Sequence, residues 1–233
     1  MPDDRPKKGD TIIFADVESL PCEKDNPLWL KLKNNIKRRD SESDEDYEAR
    51  VESVRRDTAL TGPLGRAWMI GFAVGKGDPV ICQYDGSPEG EKALLEEFLG
   101  HIEEYDNPWW VGHNLLGYDV PFLQVRALHH GLPKLARKMS RLRQKPWESR
   151  VLDTQKLWPR TGGDRQAYRD WGLRGLGKLD TICSLLGIEQ QTGVMGPNVY
   201  EAYLSGDQEG VAEHLKHDIN QVREVLKRLW PVL

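Results

Sequence analysis

Two carboxylates, Asp16 and Glu18, are separated by one residue and follow directly after the apolar run of residues 12–15. The apolar run predicts a buried strand, and side chains at positions i and i+2 of a strand point to the same face. Two buried negative charges repel each other, and divalent cations such as Mg²⁺ and Mn²⁺ are suitable partners for their oxygens. The pair therefore indicates either a metal site or a strand end whose two acids face water.

A third carboxylate, Asp218, lies in a predicted helix from about residue 208 to 229. The helix has one apolar stripe, formed by Val211, Leu215, Ile219, Val222, Val225, Leu226 and Leu229. Asp218 falls near the middle of this stripe, His214 lies one turn earlier on its edge, and His217 points away. Because a carboxylate pressed onto a core needs a partner, either an arginine or a metal shared with the first two acids would explain Asp218.

A fourth carboxylate, Asp119, lies between a predicted strand and a predicted helix. The strand is Trp109–Gly112, and the helix continues to about His130. Ligands of α/β sheets bind at such strand-to-helix junctions. Because Pro121 stands just inside the helix, Asp119 could instead be its N-cap.

These side chains need a scaffold, which we predict to be a single α/β domain over residues 1–233. Strands are predicted near residues 11–19, 67–74, 79–84, 109–112 and 150–152, and the main helices near 88–106, 119–130, 176–187 and 208–229. The first three strands are expected to form an antiparallel meander, within a mixed five-stranded sheet flanked by helices. Residues 20–65 form an insertion whose polar helix, at about 47–58, is placed at the periphery.

The composition is that of a globular protein: 233 residues, 30% charged and 38% hydrophobic, with net charge −4. No apolar run approaches the roughly 18 residues of a membrane helix, and the first residues do not resemble a secretory signal. The three cysteines, Cys22, Cys82 and Cys183, lie far apart, so neither a disulfide framework nor a structural zinc site is indicated. We expect a cytoplasmic protein without a membrane partner, of undetermined oligomeric state.

The charge distribution is more informative than the net charge. Residues 134–150 contain seven lysines and arginines and a single acid, Glu148. Such a tract could follow a phosphate backbone, or it could be a solvated helix face.

Three motifs in chain order carry a family resemblance: Phe14-Ala-Asp16-Val-Glu18, Gly112-His-Asn114 with Tyr118-Asp119-Val-Pro-Phe-Leu123, and His214-Leu-Lys-His-Asp218. With these motifs the sequence resembles DEDD-type 3′-5′ exonucleases of the ribonuclease H-like, DnaQ-like superfamily. It is most similar to the predicted DNA-polymerase-B-like exonuclease branch. The segments 175–188, which contains Asp180, and 196–206 are also similar, so the resemblance extends from residue 11 to about 229, apart from the insertion.

The resemblance implies a ribonuclease H-like fold and hydrolysis from the 3′ end of DNA, preferably single-stranded, releasing nucleoside 5′-monophosphates. It implies two Mg²⁺ or Mn²⁺ ions held by Asp16, Glu18, Asp119 and Asp218, with Asp16 shared between them. The alternatives are an enzyme of the same fold acting on RNA or short oligonucleotides, and an inactive module that binds nucleic acid.

One residue departs from the family pattern, which has a tyrosine four residues or a histidine five residues before the last aspartate. Here His214 and Glu213 occupy those two positions. We assign His214 as the general base, because an imidazole can take a proton from water near neutral pH; His217 is the second candidate and His113 the third. The predicted contacts with the terminal nucleotide are Ser19, Leu20, His113, Asn114 and Tyr118, for which ordinary packing is the alternative.

Overall fold

The protein's structure, a computed structural model, describes residues 5–143, 150–158, 177–190 and 196–232. Several features that the sequence analysis singled out lie outside these ranges. They are the predicted helix start at Leu176, and Lys145 and Glu148 of the basic tract.

Five strands form one mixed sheet in the order β3-β2-β1-β4-β5. The strands are β1 Ile12–Leu20, β2 Arg66–Val74, β3 Val80–Gln83, β4 Trp109–Gly112 and β5 Val151–Asp153. β1, β2 and β3 form an antiparallel meander, whereas β4 and β5 run parallel to β1. This confirms the predicted mixed sheet, although β5 ends one residue later than expected and therefore includes Asp153.

Nine α-helices occur among the described residues, and none of them is long and apolar enough to cross a membrane. They are α1 Pro27–Lys33, α2 Asp44–Asp57, α3 Pro88–Ile102, α4 Asp119–His129, α5 Pro133–Leu142, α6 Thr154–Leu157, α7 Leu179–Leu186, α8 Val199–Ser205 and α9 Gln208–Leu229. α9 has the predicted bounds, α3 begins where predicted but ends about four residues early, at Ile102, and Gly187 ends α7 in the left-handed conformation that favours glycine. α1 was not predicted; Asn26 caps it and proline follows at its first position.

The two faces of the sheet pack against different helices. Ile13, Ala15 and Val17 of β1 share an apolar cluster with residues of α3, α4 and α5. Phe14, which points the other way, packs in a cluster with residues of α7 and α9. Because side chains alternate along a strand, the acids at positions 16 and 18 continue the face of Phe14 and point toward α9.

The insertion has a small core of its own, formed by Cys22, Trp29 and Val51. Arg55 of α2 donates a hydrogen bond to the Cys22 carbonyl at 2.5 Å, within the insertion. It also donates one to the Tyr200 hydroxyl of α8 at 2.8 Å, which connects the insertion to the rest of the chain. After α2 a 3₁₀ turn, Thr58–Leu60, contacts β1. Part of the insertion therefore packs on itself, whereas the 3₁₀ turn contacts the central strand β1.

Candidate active site

The end of β1 is irregular next to the two acids. Asp16 lies opposite Gly71 and Glu18 opposite Met69, but Ser19 then lies opposite Ala67. This shift is a β-bulge, a feature that bends a strand end and redirects its side chains. The extra residue, Trp68, belongs to β2, so side chains still alternate along β1, and Leu20 lies in one cluster with Leu215 of α9.

α9 lies close against the sheet and brings two further polar side chains to the acids. A Cβ atom at Gly71 would lie 2.9 Å from Cδ1 of Ile219, so a residue without a side chain permits this close approach. The Nε2 atom of His214 lies 3.4 Å from Oε1 of Glu18, and its Nδ1 lies 3.6 Å from Oδ1 of Asp218. His214 is only 5% exposed, whereas the Asp218 side chain is 20% exposed. The histidine is therefore buried more deeply than its predicted position on the edge of the stripe implied.

Asp119 is the first residue of α4 and is 2% exposed. Tyr118 occupies the N-cap position and no side-chain hydrogen bond caps the helix, so the alternative interpretation of Asp119 as a cap is not supported. Its Oδ1 atom is buried and has no hydrogen-bond partner among the described residues. Unpaired buried oxygens are costly, so this atom is a natural ligand for a cation.

Asp153 fixes the loop that leads from β4 to Asp119. Its buried carboxylate accepts hydrogen bonds from the backbone N–H groups of Asn114 at 3.0 Å and Leu116 at 3.1 Å. It also caps α6 by accepting a hydrogen bond from the N–H of Gln155 at 3.1 Å. The loop contacts were missed, because only the order of β4 and β5 in the sheet brings Asp153 beside this loop.

His113 uses both ring nitrogens for contacts within the protein. Nδ1 lies 3.0 Å from the Thr154 hydroxyl, and Nε2 lies 2.8 Å from the Gly177 carbonyl, to which it donates a hydrogen bond. Burial lowers the pKa of the ring, which favours the neutral form at neutral pH. The ring joins the loop after β4 to the segment before α7, and its predicted contact with a nucleotide stays a prediction.

Ser19 and Tyr118 bind each other and the insertion. The Ser19 hydroxyl lies 2.5 Å from the Tyr118 hydroxyl and donates a hydrogen bond to the Ala59 carbonyl at 2.7 Å. Leu20 is fully buried in a cluster with Trp68, so in this structure its side chain has a core role. Asn114, with φ of 62°, adopts the left-handed conformation that asparagine tolerates. The nucleotide contacts predicted for these four residues stay predictions.

Burial and the charge of Asp16 raise the pKa values of the three carboxylates around it. Burial raises the pKa of Asp16, and burial together with the charge of Asp16 raises the pKa of Glu18 well above its usual value. The same two causes act on Asp119. For Asp218, burial and the charge of Asp16 raise the pKa to about 8. The cluster is therefore short of positive charge.

The residues present fit divalent cations. Among the described residues no lysine or arginine pairs with these carboxylates, and the basic side chain in contact with them is His214, whose pKa is lowered by burial. Carboxylate oxygens are the ligands that Mg²⁺ and Mn²⁺ prefer. Within the described ranges, no three of the site's acids and histidine bring ligand atoms within 4.8 Å of one another. The carboxylates of the site, which repel one another, would therefore have to move closer together to bind a cation.

Asp180 is an additional acid beside the site. From the sequence it was noted only as part of a segment that resembles the exonuclease family. It is half-buried in the first turn of α7. Its charge contributes to the raised pKa of Asp218 and opposes the lowering of the pKa of His214. The sequence signal that could have identified Asp180 is its position at the start of the apolar helix that packs against α9.

The sheet, its flanking helices and the acids contributed by β1, α4 and α9 define a ribonuclease H-like α/β domain with an acidic site, the predicted fold class. The sequence model of one family, described as a predicted 3′-5′ exonuclease related to the exonuclease domain of PolB, matches residues 73–225, and the chain belongs to this family. The matched residues include Asp119, His214 and Asp218 but begin after β1.

Comparison with solved structures extends the similarity to β1. The family B DNA polymerase from the hyperthermophilic archaeon Pyrobaculum calidifontis matches with a TM-score of 0.54 and 14% sequence identity. The match covers 95% of this chain and 25% of the polymerase chain, so the protein corresponds in length to about a quarter of that polymerase. A search of curated proteins found no match. At this identity the polymerase supports the fold and says nothing of substrate.

Proposed function

We propose that the protein is a metal-dependent 3′-5′ exonuclease that shortens single-stranded DNA and releases nucleoside 5′-monophosphates. The observation that carries the proposal is the convergence of four carboxylates from β1, α4 and α9, in a chain of a predicted 3′-5′ exonuclease family. A buried group of like charges is destabilising unless a cation neutralises it. Because the four buried carboxylates destabilise the fold, their presence together is best explained by a catalytic reaction that needs their negative charges.

In this proposal Asp16, Glu18, Asp119 and Asp218 would hold two Mg²⁺ or Mn²⁺ ions. When bound, such ions neutralise charge on the phosphodiester and make the attacking water more acidic. The unpartnered Oδ1 atom of Asp119 supports its part as a ligand. Strand alternation keeps the first two acids on the side of α9.

His214 is proposed to take the proton from the attacking water. Burial lowers the pKa of its imidazole, so the ring is available as a neutral base at physiological pH. Its two nitrogens lie 3.4 Å from Glu18 and 3.6 Å from Asp218, distances too long for good hydrogen bonds but short enough for the two acids to orient the ring. The histidine would thus fill the place of the tyrosine found in similar enzymes.

A basic face on α5 supports a nucleic-acid substrate. Lys134, Arg137, Lys138 and Arg141 recur at three- and four-residue spacing, so they lie on one side of the helix. Leu135 and Met139, among others, are buried on the opposite side. Next to the end of this helix, Arg143 donates a hydrogen bond to Gln124 of α4, the helix that begins at Asp119. We propose that this basic face binds the phosphates of the strand whose end is cut.

The substrate assay compares single-stranded DNA, duplex DNA and RNA, all labelled at the 5′ end, with Mg²⁺, Mn²⁺ or EDTA. The proposal expects metal-dependent shortening, fastest for single-stranded DNA, and its loss in Asp16→Asn. Cleavage in EDTA, or an unaffected variant, would rule out the metal mechanism. Hydrolysis of RNA alone would overturn the choice of DNA, and binding without cleavage of any substrate would favour a binding module.

A further inference from the structure

A second cluster of metal-ligating side chains lies on the other face of the sheet. Cys82 of β3 and Glu97 and His101 of α3 bring their ligand atoms within 4.8 Å of one another. Cys82 belongs to the apolar cluster on the α3 side, whereas the acids of the candidate active site point toward α9. The two groups are therefore separated by the sheet.

The backbone brings these three side chains together in a regular way. Glu97 and His101 are four residues apart on α3, so they share one face of the helix, and Nε2 of His101 lies 3.8 Å from Oε1 of Glu97. The imidazole packs against the ring of Phe72, with 5.1 Å between ring centroids, which restrains its orientation. Cys82 lies on the strand beside this helix face and is fully buried.

The three donors suit a thiophilic divalent cation rather than Mg²⁺. A thiolate, an imidazole and a carboxylate are the groups that bind Zn²⁺ in proteins, while Mg²⁺ prefers oxygen alone. Tetrahedral Zn²⁺ with bonds of about 2.0–2.1 Å places nitrogen and oxygen ligands roughly 3.3 Å apart. The observed 3.8 Å between His101 and Glu97 therefore needs only a small closure.

The burial of the three residues is graded. Cys82 is buried, Glu97 is half-buried and the His101 side chain is 44% exposed. A cation can therefore enter from the His101 side and keep a water molecule as its fourth ligand. Burial, with the nearby charge of Glu97, raises the pKa of the Cys82 thiol to about 12. The thiol is accordingly protonated in the metal-free protein, and binding of a cation has to release that proton.

We propose that Cys82, Glu97 and His101 form a Zn²⁺ site that fastens the edge strand β3 to α3. β3 has only four residues and is hydrogen-bonded on one side, to β2. A cation bound by Cys82 and by the two α3 residues would connect β3 to the helix, and so would stabilise a strand that has few backbone hydrogen bonds of its own. This site is independent of the proposed exonuclease activity.

The test is a Co²⁺ titration of the full-length, metal-free protein, read by the absorption band that a cobalt–thiolate bond produces. Excess Mg²⁺ is present to occupy the carboxylate site. We expect one equivalent of Co²⁺ to produce the band, Zn²⁺ to remove it, and Cys82→Ser to abolish it. Cys183→Ser is the matched control, because Cys183 is also a buried free cysteine, and it should keep the band.

Two substitutions at the less buried ligands test the site independently, in case Cys82→Ser does not fold. His101→Ala and Glu97→Gln should each raise the Kd for Zn²⁺ at least about tenfold, and should reduce the rise of melting temperature that Zn²⁺ causes in the wild type. A folded wild type without the thiolate band would overturn the proposal. So would a band that survives Cys82→Ser, a band lost in Cys183→Ser, or a Zn²⁺ affinity unchanged in both helix variants.

Discussion

The Nε2 atom of His214 lies 3.4 Å from Oε1 of Glu18, although the two residues belong to the last helix and the first strand of the chain. The contact places the imidazole of α9 over the acids of β1. It also brings Glu18 near Asp218, although the two acids are far apart in sequence, and the charge of Asp218 contributes to the raised pKa of Glu18. The closeness of these groups leads to several testable predictions.

His214→Ala should lower kcat by about 10²–10⁴-fold and change KM little, because a general base acts in the chemical step. His214→Tyr should restore part of the rate and change the acidic limb of the pH profile, since a phenol replaces the imidazole. Single-turnover and steady-state kinetics measure both effects. His217→Ala is the matched control and should keep most of the activity. Full activity in His214→Ala would remove this residue from the proposed role.

Mg²⁺ should stabilise the protein more at pH 8 than at pH 6. The folded-state pKa of Asp218, raised to about 8, exceeds the roughly 3.9 of a free aspartate. The folded state therefore binds more protons than the unfolded state between these values, and the contribution of the group to stability falls as pH rises. Mg²⁺ removes the repulsion that develops.

Thermal melts with and without Mg²⁺ at both pH values measure this effect. In Asp16→Asn the metal-free protein should melt higher, by roughly 2–4 °C for each kcal/mol of relieved repulsion, and the response to Mg²⁺ should disappear. Asp25→Asn, at an exposed acid, should behave as the wild type. An equal Mg²⁺ shift at both pH values would contradict the electrostatic explanation.

Glu91→Ala should destabilise the fold by about 3–5 kcal/mol, because it leaves a buried guanidinium unpaired. Glu91 is 1% exposed and accepts hydrogen bonds from Arg126 at 2.6 and 2.7 Å, from His130 at 2.8 Å and from the Ala67 N–H at 2.7 Å. It thus joins α3, α4 and β2. Chemical denaturation measures the loss, and the exposed Glu96→Ala should cost less than about 1 kcal/mol. Similar losses in the two variants would contradict the assignment.

Replacing Arg137 and Arg141 together by glutamine should weaken binding of long single-stranded DNA. In an Asp16→Asn background, the slope of log K against log salt should decrease by about 0.7 for each lost phosphate contact. Hydrolysis of a dinucleotide by the otherwise wild-type enzyme should not change, because so short a substrate does not extend from the active site to α5. Lys227→Gln with Arg228→Gln, exposed at the far end of α9, is the control. Equal losses in the two double variants would refute a specific strand path.

The sequence predicted the features that depend on local periodicity. The bounds of β4 and α9 and the start of α3 follow from short apolar runs, helical spacing and their proline or glycine neighbours. The common direction of Asp16 and Glu18 follows from strand alternation. These local rules predicted a mixed α/β sheet and the elements that carry the acids, whereas the joining of all four carboxylates in one site was implied by the family resemblance.

Features that depend on contacts between distant segments were not predictable. The bulge after Glu18 depends on the register of β2, and the contact of Ser19 with the Ala59 carbonyl depends on how the insertion docks. The Cys82 cluster shows the same limit. Its helical pair is visible as an i, i+4 spacing, but the cysteine joins it only through the position of β3 in the sheet.

The most direct test of the central claim follows the polarity of hydrolysis on one single-stranded DNA, labelled at its 3′ end in one sample and at its 5′ end in the other. With Mg²⁺, the account predicts that the 3′ label appears at once as a nucleoside 5′-monophosphate, while the 5′-labelled strand shortens through a ladder. Asp16→Asn should reduce both signals at least about 100-fold. Release of the 5′ label first, internal cuts, or an undiminished rate in Asp16→Asn would contradict the account.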